Sequence, residues 1–196
     1  FKGNYSGAKT LSFEIRLNKP VIKTPVVTAE TAKISWNKVK GATGYRVYIR
    51  NEKTGKYEKV KNTTSTSYTF KNLKGATQYS YAVKAYAKAD GKTYWAKAYS
   101  SAGFITKPEA FNVTLKLSGE NVTLSWKKLD SKILSGYCVY MKKNNGEFKR
   151  IATTKKTSYK IKNLDKGTYQ FRVRGYVERN DSNLYGEYKT YTVKIK

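Results

Sequence analysis

The sequence predicts an all-β protein made of two tandem β-sandwiches of about seven strands each, and three observations carry that prediction. Apolar residues recur at every second position rather than with a period near 3.6, as in Ala32, Ile34 and Trp36 and then Tyr45, Val47 and Ile49, the alternation of half-buried strands. Clusters of turn-forming residues separate these runs. The chain also repeats itself at a spacing of about 90 residues, which for 196 residues gives two units, each long enough for its own core.

The repeat is carried by four collinear blocks. Ile34-Ser35-Trp36 recurs as Leu124-Ser125-Trp126, and Gly44-Tyr45-Arg46-Val47-Tyr48 as Gly136-Tyr137-Cys138-Val139-Tyr140. Ser67-Tyr68-Thr69-Phe70-Lys71-Asn72-Leu73 matches Ser158-Tyr159-Lys160-Ile161-Lys162-Asn163-Leu164, and Tyr79-Ser80-Tyr81-Ala82-Val83 matches Tyr169-Gln170-Phe171-Arg172-Val173. The blocks place one domain at residues 20–107 and a second at 108–196, joined near Thr106-Lys107-Pro108 with almost no linker. Turns are expected at Lys40 to Gly44, Asn51 to Gly55, Asp90-Gly91 and Asn144-Asn145-Gly146. The core of the second domain should hold Val122, Leu124, Trp126, Tyr137, Val139, Met141, Tyr159, Ile161, Leu164, Tyr169, Phe171 and Val173, the inward positions of its strands.

Together these features resemble fibronectin type III domains over about nine tenths of the chain. A Trp closes the second strand (Trp36, Trp126), a Gly-Tyr-x-Val-Tyr third strand follows, and Leu73 and Leu164 stand six and five residues ahead of Tyr79 and Tyr169. The family's Leu-x-Pro-x-Thr-x-Tyr segment is altered to Leu73-Lys74-Gly75-Ala76-Thr77-Gln78-Tyr79 and Leu164-Asp165-Lys166-Gly167-Thr168-Tyr169. The Lys- and Tyr-rich version with Lys-Gly-Ala-Thr-Gly-Tyr at residues 40 to 45 resembles repeats in surface and secreted proteins of Gram-positive bacteria. The resemblance implies an extracellular, cell-surface setting. Residues 1–19 belong to neither unit and resemble the closing hairpin of a bacterial immunoglobulin-like repeat. They are expected to be either the terminal strand of an upstream domain or, through residues 9–17, a donor strand supporting self-association. Phe1-Lys2-Gly3-Asn4 carries no signal-peptide pattern, and the sequence reads as a piece of a longer chain.

Composition narrows the chemistry. There is no histidine and one cysteine, so the commonest general base and metal ligand is missing and neither an internal disulfide nor a zinc cluster can form. No catalytic residue, metal site or cofactor is therefore expected. The nearest approach to a cation site is the pair Glu178 and Asp181 at a hairpin tip, which reads as a solvated loop. Cys138, alternating with inward Tyr137 and Val139, should face outward as an incidental thiol. No run of about 18 apolar residues exists that could span a membrane.

The formal charge of +27 points elsewhere. It is spread over both domains rather than held in a tail. Alternation places Arg46, Tyr48, Arg50, Lys84, Tyr86 and Lys88 on the outer face of the third and sixth strands, and Tyr140, Lys142, Arg172, Arg174 and Tyr176 on the same face of the second domain. Interleaved cations and rings suit anionic polymers, because cations neutralise charge while rings stack on bases or sugars. The alternative is a solvated lysine-rich surface. Three functions are compatible with these features: a structural or adhesive repeat of a bacterial surface protein, an accessory module of a secreted polysaccharide-degrading enzyme, or a binder of polyanions such as teichoic acid, glycosaminoglycan, host or cell-wall glycans, or extracellular DNA.

Overall fold

A computed structural model of the chain describes residues 16–180 and 182–196. The expectations for residues 1–15 and for Asp181, which include most of the donor strand and half of the hairpin-tip acidic pair, lie outside the described residues.

Among the described residues all regular structure is β. In the first sandwich the strands are β1 (Val26–Val27), β2 (Ala32–Ser35), β3 (Gly44–Arg50), β4 (Tyr57–Thr63), β5 (Ser67–Phe70), β6 (Gln78–Ala89), β7 (Lys92–Trp95) and β8 (Ser100–Ile105). One sheet has the order β1-β2-β5, and the other has β4-β3-β6-β7 with β8 also on β6. In the second sandwich the strands are β9 (Val113–Ser118), β10 (Asn121–Trp126), β11 (Gly136–Lys143), β12 (Lys149–Thr154), β13 (Ser158–Ile161), β14 (Gly167–Val177), β15 (Leu184–Tyr185) and β16 (Lys189–Ile195). Its sheets run β13-β10-β9 and β12-β11-β14-β15, with β16 also on β14. All pairings are antiparallel. The expected seven strands become eight elements in each sandwich because the last strand is broken in two. At the break Ala96 N–H still donates to Ala85 O, and Gly186 N–H to Gly175 O, so the backbone stays paired.

The alternation works as expected. Val122, Leu124, Tyr137, Val139, Phe171 and Val173 are buried, and all twelve residues expected in the second core belong to it or pack against it. The first sandwich buries Ala32, Ile34, Trp36, Tyr45, Val47, Phe70, Tyr81 and Val83 at the corresponding positions. The tryptophan motif repeats in geometry as well as in letters. Trp36 meets Tyr45, and Trp126 meets Tyr137, with ring centroids 5.3 Å apart in edge-to-face packing. Each tyrosine hydroxyl in turn accepts a backbone N–H at 2.9 Å, from Val39 and Leu129 respectively.

The altered Leu-to-Tyr segments keep their corner by different means. Tyr79 Oη accepts the Lys74 N–H at 2.8 Å, whereas in the segment one residue shorter Tyr169 Oη donates to Asp165 O at 3.2 Å. Asp90 and Gly91 take φ of 48° and 71°, the left-handed pair that a two-residue hairpin between β6 and β7 requires.

Candidate functional site

The outer face of the larger sheet carries the residues singled out in each sandwich. In the second, β11 and β14 pair so that Tyr140 lies opposite Arg172, Cys138 opposite Arg174, and Gly136 opposite Tyr176. Alternation puts all of these on one side of the sheet. The two guanidinium groups are held between rings. The Arg172 group sits 3.7 Å from the Phe148 ring centroid and 4.5 Å from that of Tyr188, while its Nε donates to Thr190 Oγ1 and Nη1 to Tyr188 Oη. The Arg174 group lies 4.1 Å from Tyr185, 5.0 Å from Tyr140 and 5.4 Å from Tyr188, with Nη2 donating to Tyr140 Oη at 2.7 Å. Its Nε is buried beneath these rings without a hydrogen-bond acceptor. Lys142 approaches the same Phe148 ring at 5.4 Å. The result is a ladder of cations and rings along adjacent strands.

This ladder corrects the expectation for Cys138. The residue does lie on the outer side of β11, but it is only 1% exposed. Arg174 stands opposite it, and its sulfur lies 4.0 Å from Thr153 Oγ1. Alternation fixes the side of a sheet to which a residue points, and long side chains on that side decide whether water reaches it. Tyr176 is half-buried, pairing with Tyr185 at 6.2 Å, and burial raises its phenol pKa.

In the first sandwich the same face is built differently. Tyr48 lies opposite Ala82, Arg46 opposite Lys84, and Gly44 opposite Tyr86. Arg46 stacks on Trp95 at 4.3 Å and donates from Nε to Asn62 Oδ1. Arg50 turns away to pair with Glu52 at 3.2 Å and to donate to Gly55 O. Tyr86, placed on the outer face, is only 8% exposed, because Trp95 packs on its ring at 5.1 Å and the hydroxyl end of the ring lies over Gly44. A Cβ at Gly44 would stand 2.5 Å from that ring, so the glycine makes the approach possible. Lys88 is exposed, and Tyr48 and Lys84 are half-buried.

Sequence reasoning missed the rings that arrange these cations: Trp95 in the first sandwich, and Phe148, Tyr185 and Tyr188 in the second. Each sits on a neighbouring strand or next to its end. The internal repeat could have pointed to two of them, because Tyr57 and Phe148 open equivalent stretches of sheet and Tyr99 and Tyr188 each precede the final strand. Among the described residues no group of three His, Cys, Asp or Glu side chains gathers in a metal-binding arrangement, and no helix is long and apolar enough to cross a membrane.

Two antiparallel sheets with a repeated Trp–Tyr contact, a tyrosine corner and a split last strand define the class as tandem immunoglobulin-like β-sandwiches. The fibronectin type III domain model matches residues 21–100 and again 106–195, and the chain belongs to that family. A segment of two fibronectin type III domains from chicken tenascin superposes with a TM-score of 0.55 at 18% identity, covering 92% of this chain and 99% of that one. The chicken interferon gamma receptor alpha chain gives 0.49 at 15% identity, covering 91% and 98%. No curated protein matches the sequence. Domains of this family are generally non-catalytic, and the pair is compatible with a structural or binding module.

Proposed function

We propose that the chain supplies non-catalytic spacer and adhesive modules to an extracellular bacterial surface protein, and that its second sandwich presents a contact face to anionic polymers of the teichoic acid or glycosaminoglycan kind. The observation that carries this reading is the arginine ladder. Rings and hydroxyls hold the Arg172 and Arg174 planes in place along β14, so little side-chain freedom remains to be lost when an anion docks. The hydrogen bonds described leave Nη2 of Arg172 and Nη1 of Arg174 outside the ladder, and a guanidinium edge suits phosphate or sulfate in a way that an isolated lysine does not.

A chain of +27 binds any polyanion in dilute buffer, so the informative measurement is retention on heparin and on lipoteichoic acid near ~150 mM salt, where exposed charges more than a Debye length apart are screened. Combined Arg172→Ala and Arg174→Ala should weaken retention well beyond combined Lys155→Ala and Lys156→Ala. The latter pair is exposed in the loop between β12 and β13. Equal losses from the two double variants would show that net charge alone drives association, leaving the spacer role.

A further inference from the structure

The first sandwich has a groove where the second has its ladder. Tyr48, Tyr57 and Tyr99 form its walls, Ala82 its floor, and Lys56 and Lys84 its cationic rim, around a volume of about 490 Å³. That lies within the range of small-ligand sites, roughly 300–1,000 Å³. It exists because of one residue. By strand register Ala82 occupies the place that Arg172 takes in the second sandwich, each opposite the Tyr that follows the Gly-Tyr-x-Val motif. Tyr57 and Tyr99 correspond to Phe148 and Tyr188, the two rings that clamp Arg172. The aromatic frame is thus present in both domains. In the first, a methyl group replaces the guanidinium, and Tyr57 and Tyr99 meet each other at 5.5 Å with no cation between them.

We infer that this groove binds a uronate-bearing glycan chain, with the sugar ring on the tyrosines and its carboxylate at Lys84. Tyr57 and Tyr99 sit 5.5 Å apart with planes inclined at 58°, and Tyr99 is 47% exposed. Such tilted rings offer apolar faces to the C–H side of a pyranose while their hydroxyls remain available to sugar hydroxyls. Ala82, although on the outer side of the sheet, is fully buried, so a sugar meets the tyrosine rings that cover it rather than the methyl group. No acidic side chain lines the groove. Lys84 is half-buried, and among the described residues no carboxylate pairs with it. A cation beside an aromatic groove free of acid is matched by a ligand that brings its own single negative charge. A wholly neutral sugar leaves that charge unanswered, and a bare phosphate or sulfate leaves the rings unused.

The test is titration of the full chain at ~150 mM salt with tetrasaccharides of hyaluronan and of polygalacturonate, beside neutral chitotetraose, followed by calorimetry and by amide NMR shifts. Binding of at least one uronate tetrasaccharide is expected, ten-fold or more tighter than chitotetraose, with shifts centred on β3, β6 and Tyr99. Ala82→Arg should abolish it by reproducing the filled frame of the sister domain, a side chain that this register already accommodates there. Tyr99→Ala and Lys84→Gln should each weaken it at least five-fold, in variants whose undisturbed amide spectra show an intact fold. The Lys155→Ala/Lys156→Ala double variant should leave it unchanged, and shifts on β3, β6 and Tyr99 rather than on β11 and β14 read the groove separately from the ladder. Absence of binding to both uronate tetrasaccharides, equal affinity for chitotetraose, or unaltered binding by Ala82→Arg would each overturn the assignment.

Discussion

The outer faces of the two sandwiches share one aromatic frame and differ in what fills it. In the second, Arg172 and Arg174 occupy the frame, satisfy one another's rings and bury Cys138 beneath them. In the first, Ala82 and Lys84 hold those positions, and no guanidinium stands between the rings. The cores differ as well, and among their aligned positions Tyr81 of β6 stands for Phe171 of β14. The comparison teaches that a repeat can conserve a scaffold of rings while a change of two side chains decides whether those rings stabilise the domain or remain available to a ligand.

The largest expected difference lies in the cores at high pH. Burial pushes the Tyr81 phenol up to about 12 from an ordinary value of 10.0. Between those values the unfolded chain releases this proton while the folded chain keeps it. The folded state then binds more protons, and stability falls as pH rises through the window. The loss by pH 12 at this core position should be on the order of 2 kcal/mol at 1.36 kcal/mol per unit, and it has no counterpart at the aligned position of the second sandwich, because Phe171 cannot ionise. Urea unfolding of wild type and Tyr81→Phe at pH 9, 10 and 11.5 checks this. The variant should lose less stability over the range, and identical pH slopes would remove Tyr81 as the cause.

Arg174 and Lys84 offer the next contrast, because they occupy equivalent positions with opposite surroundings. Arg174→Ala removes three ring contacts and the hydrogen bond to Tyr140, and should destabilise the second sandwich by about 1–2 kcal/mol. It should also uncover Cys138. As the single cysteine of the chain, this residue reports on the ladder directly: labelling of the native protein with a disulfide reagent should be slow, and the variant should react at least ten-fold faster. A native thiol that already labels as fast as free cysteine would show that the ladder does not seal this face.

How much of this was legible in the sequence follows from what alternation can and cannot encode. Period two assigned Val122, Tyr137, Phe171 and their neighbours to the inner side correctly, because a one-residue slip would expose the whole set. It also placed Arg172, Arg174 and Cys138 on the outer side. It could not give their burial, which depends on Phe148, Tyr185 and Tyr188 reaching across from adjacent strands. Tyr86, on the outer face, is covered for the same reason, since Trp95 from the following strand packs on it. The groove was invisible because its defining feature is a small residue, Ala82, and a missing side chain carries meaning only beside the repeat that retains one.

Arg172→Ala sharpens the comparison in the reverse direction. The substitution vacates the space between Phe148 and Tyr188 and should cost about 1 kcal/mol in ring contacts and one or two exposed hydrogen bonds. It also leaves the second sandwich with no guanidinium between these rings, as around Ala82. Chemical denaturation gives the cost, and the amide shifts of β14 and β16 give the site. A stability change within roughly 0.3 kcal/mol of zero, the additivity error of such measurements, would mean that the ladder is energetically idle.

The smallest expected effect is also the one whose sign separates a structural residue from one kept for binding. Lys84 lies directly opposite Arg46 across β3 and β6, and like charges in that position repel. In the second sandwich the position opposite Arg174 is held by the neutral Cys138. Arg46 stays in place by stacking on Trp95 and bonding to Asn62, whereas no ion pair holds Lys84 among the described residues. Lys84→Ala should therefore leave stability unchanged or raise it, by no more than about 0.5 kcal/mol, with the gain shrinking as salt screens the repulsion. Urea midpoints at ~20 and ~500 mM salt measure both the sign and the screening. A clear loss of stability would make Lys84 a structural cation like Arg174. A small gain would mean that a half-buried lysine is retained against its cost to the fold, as expected of a group whose anion is supplied by a ligand.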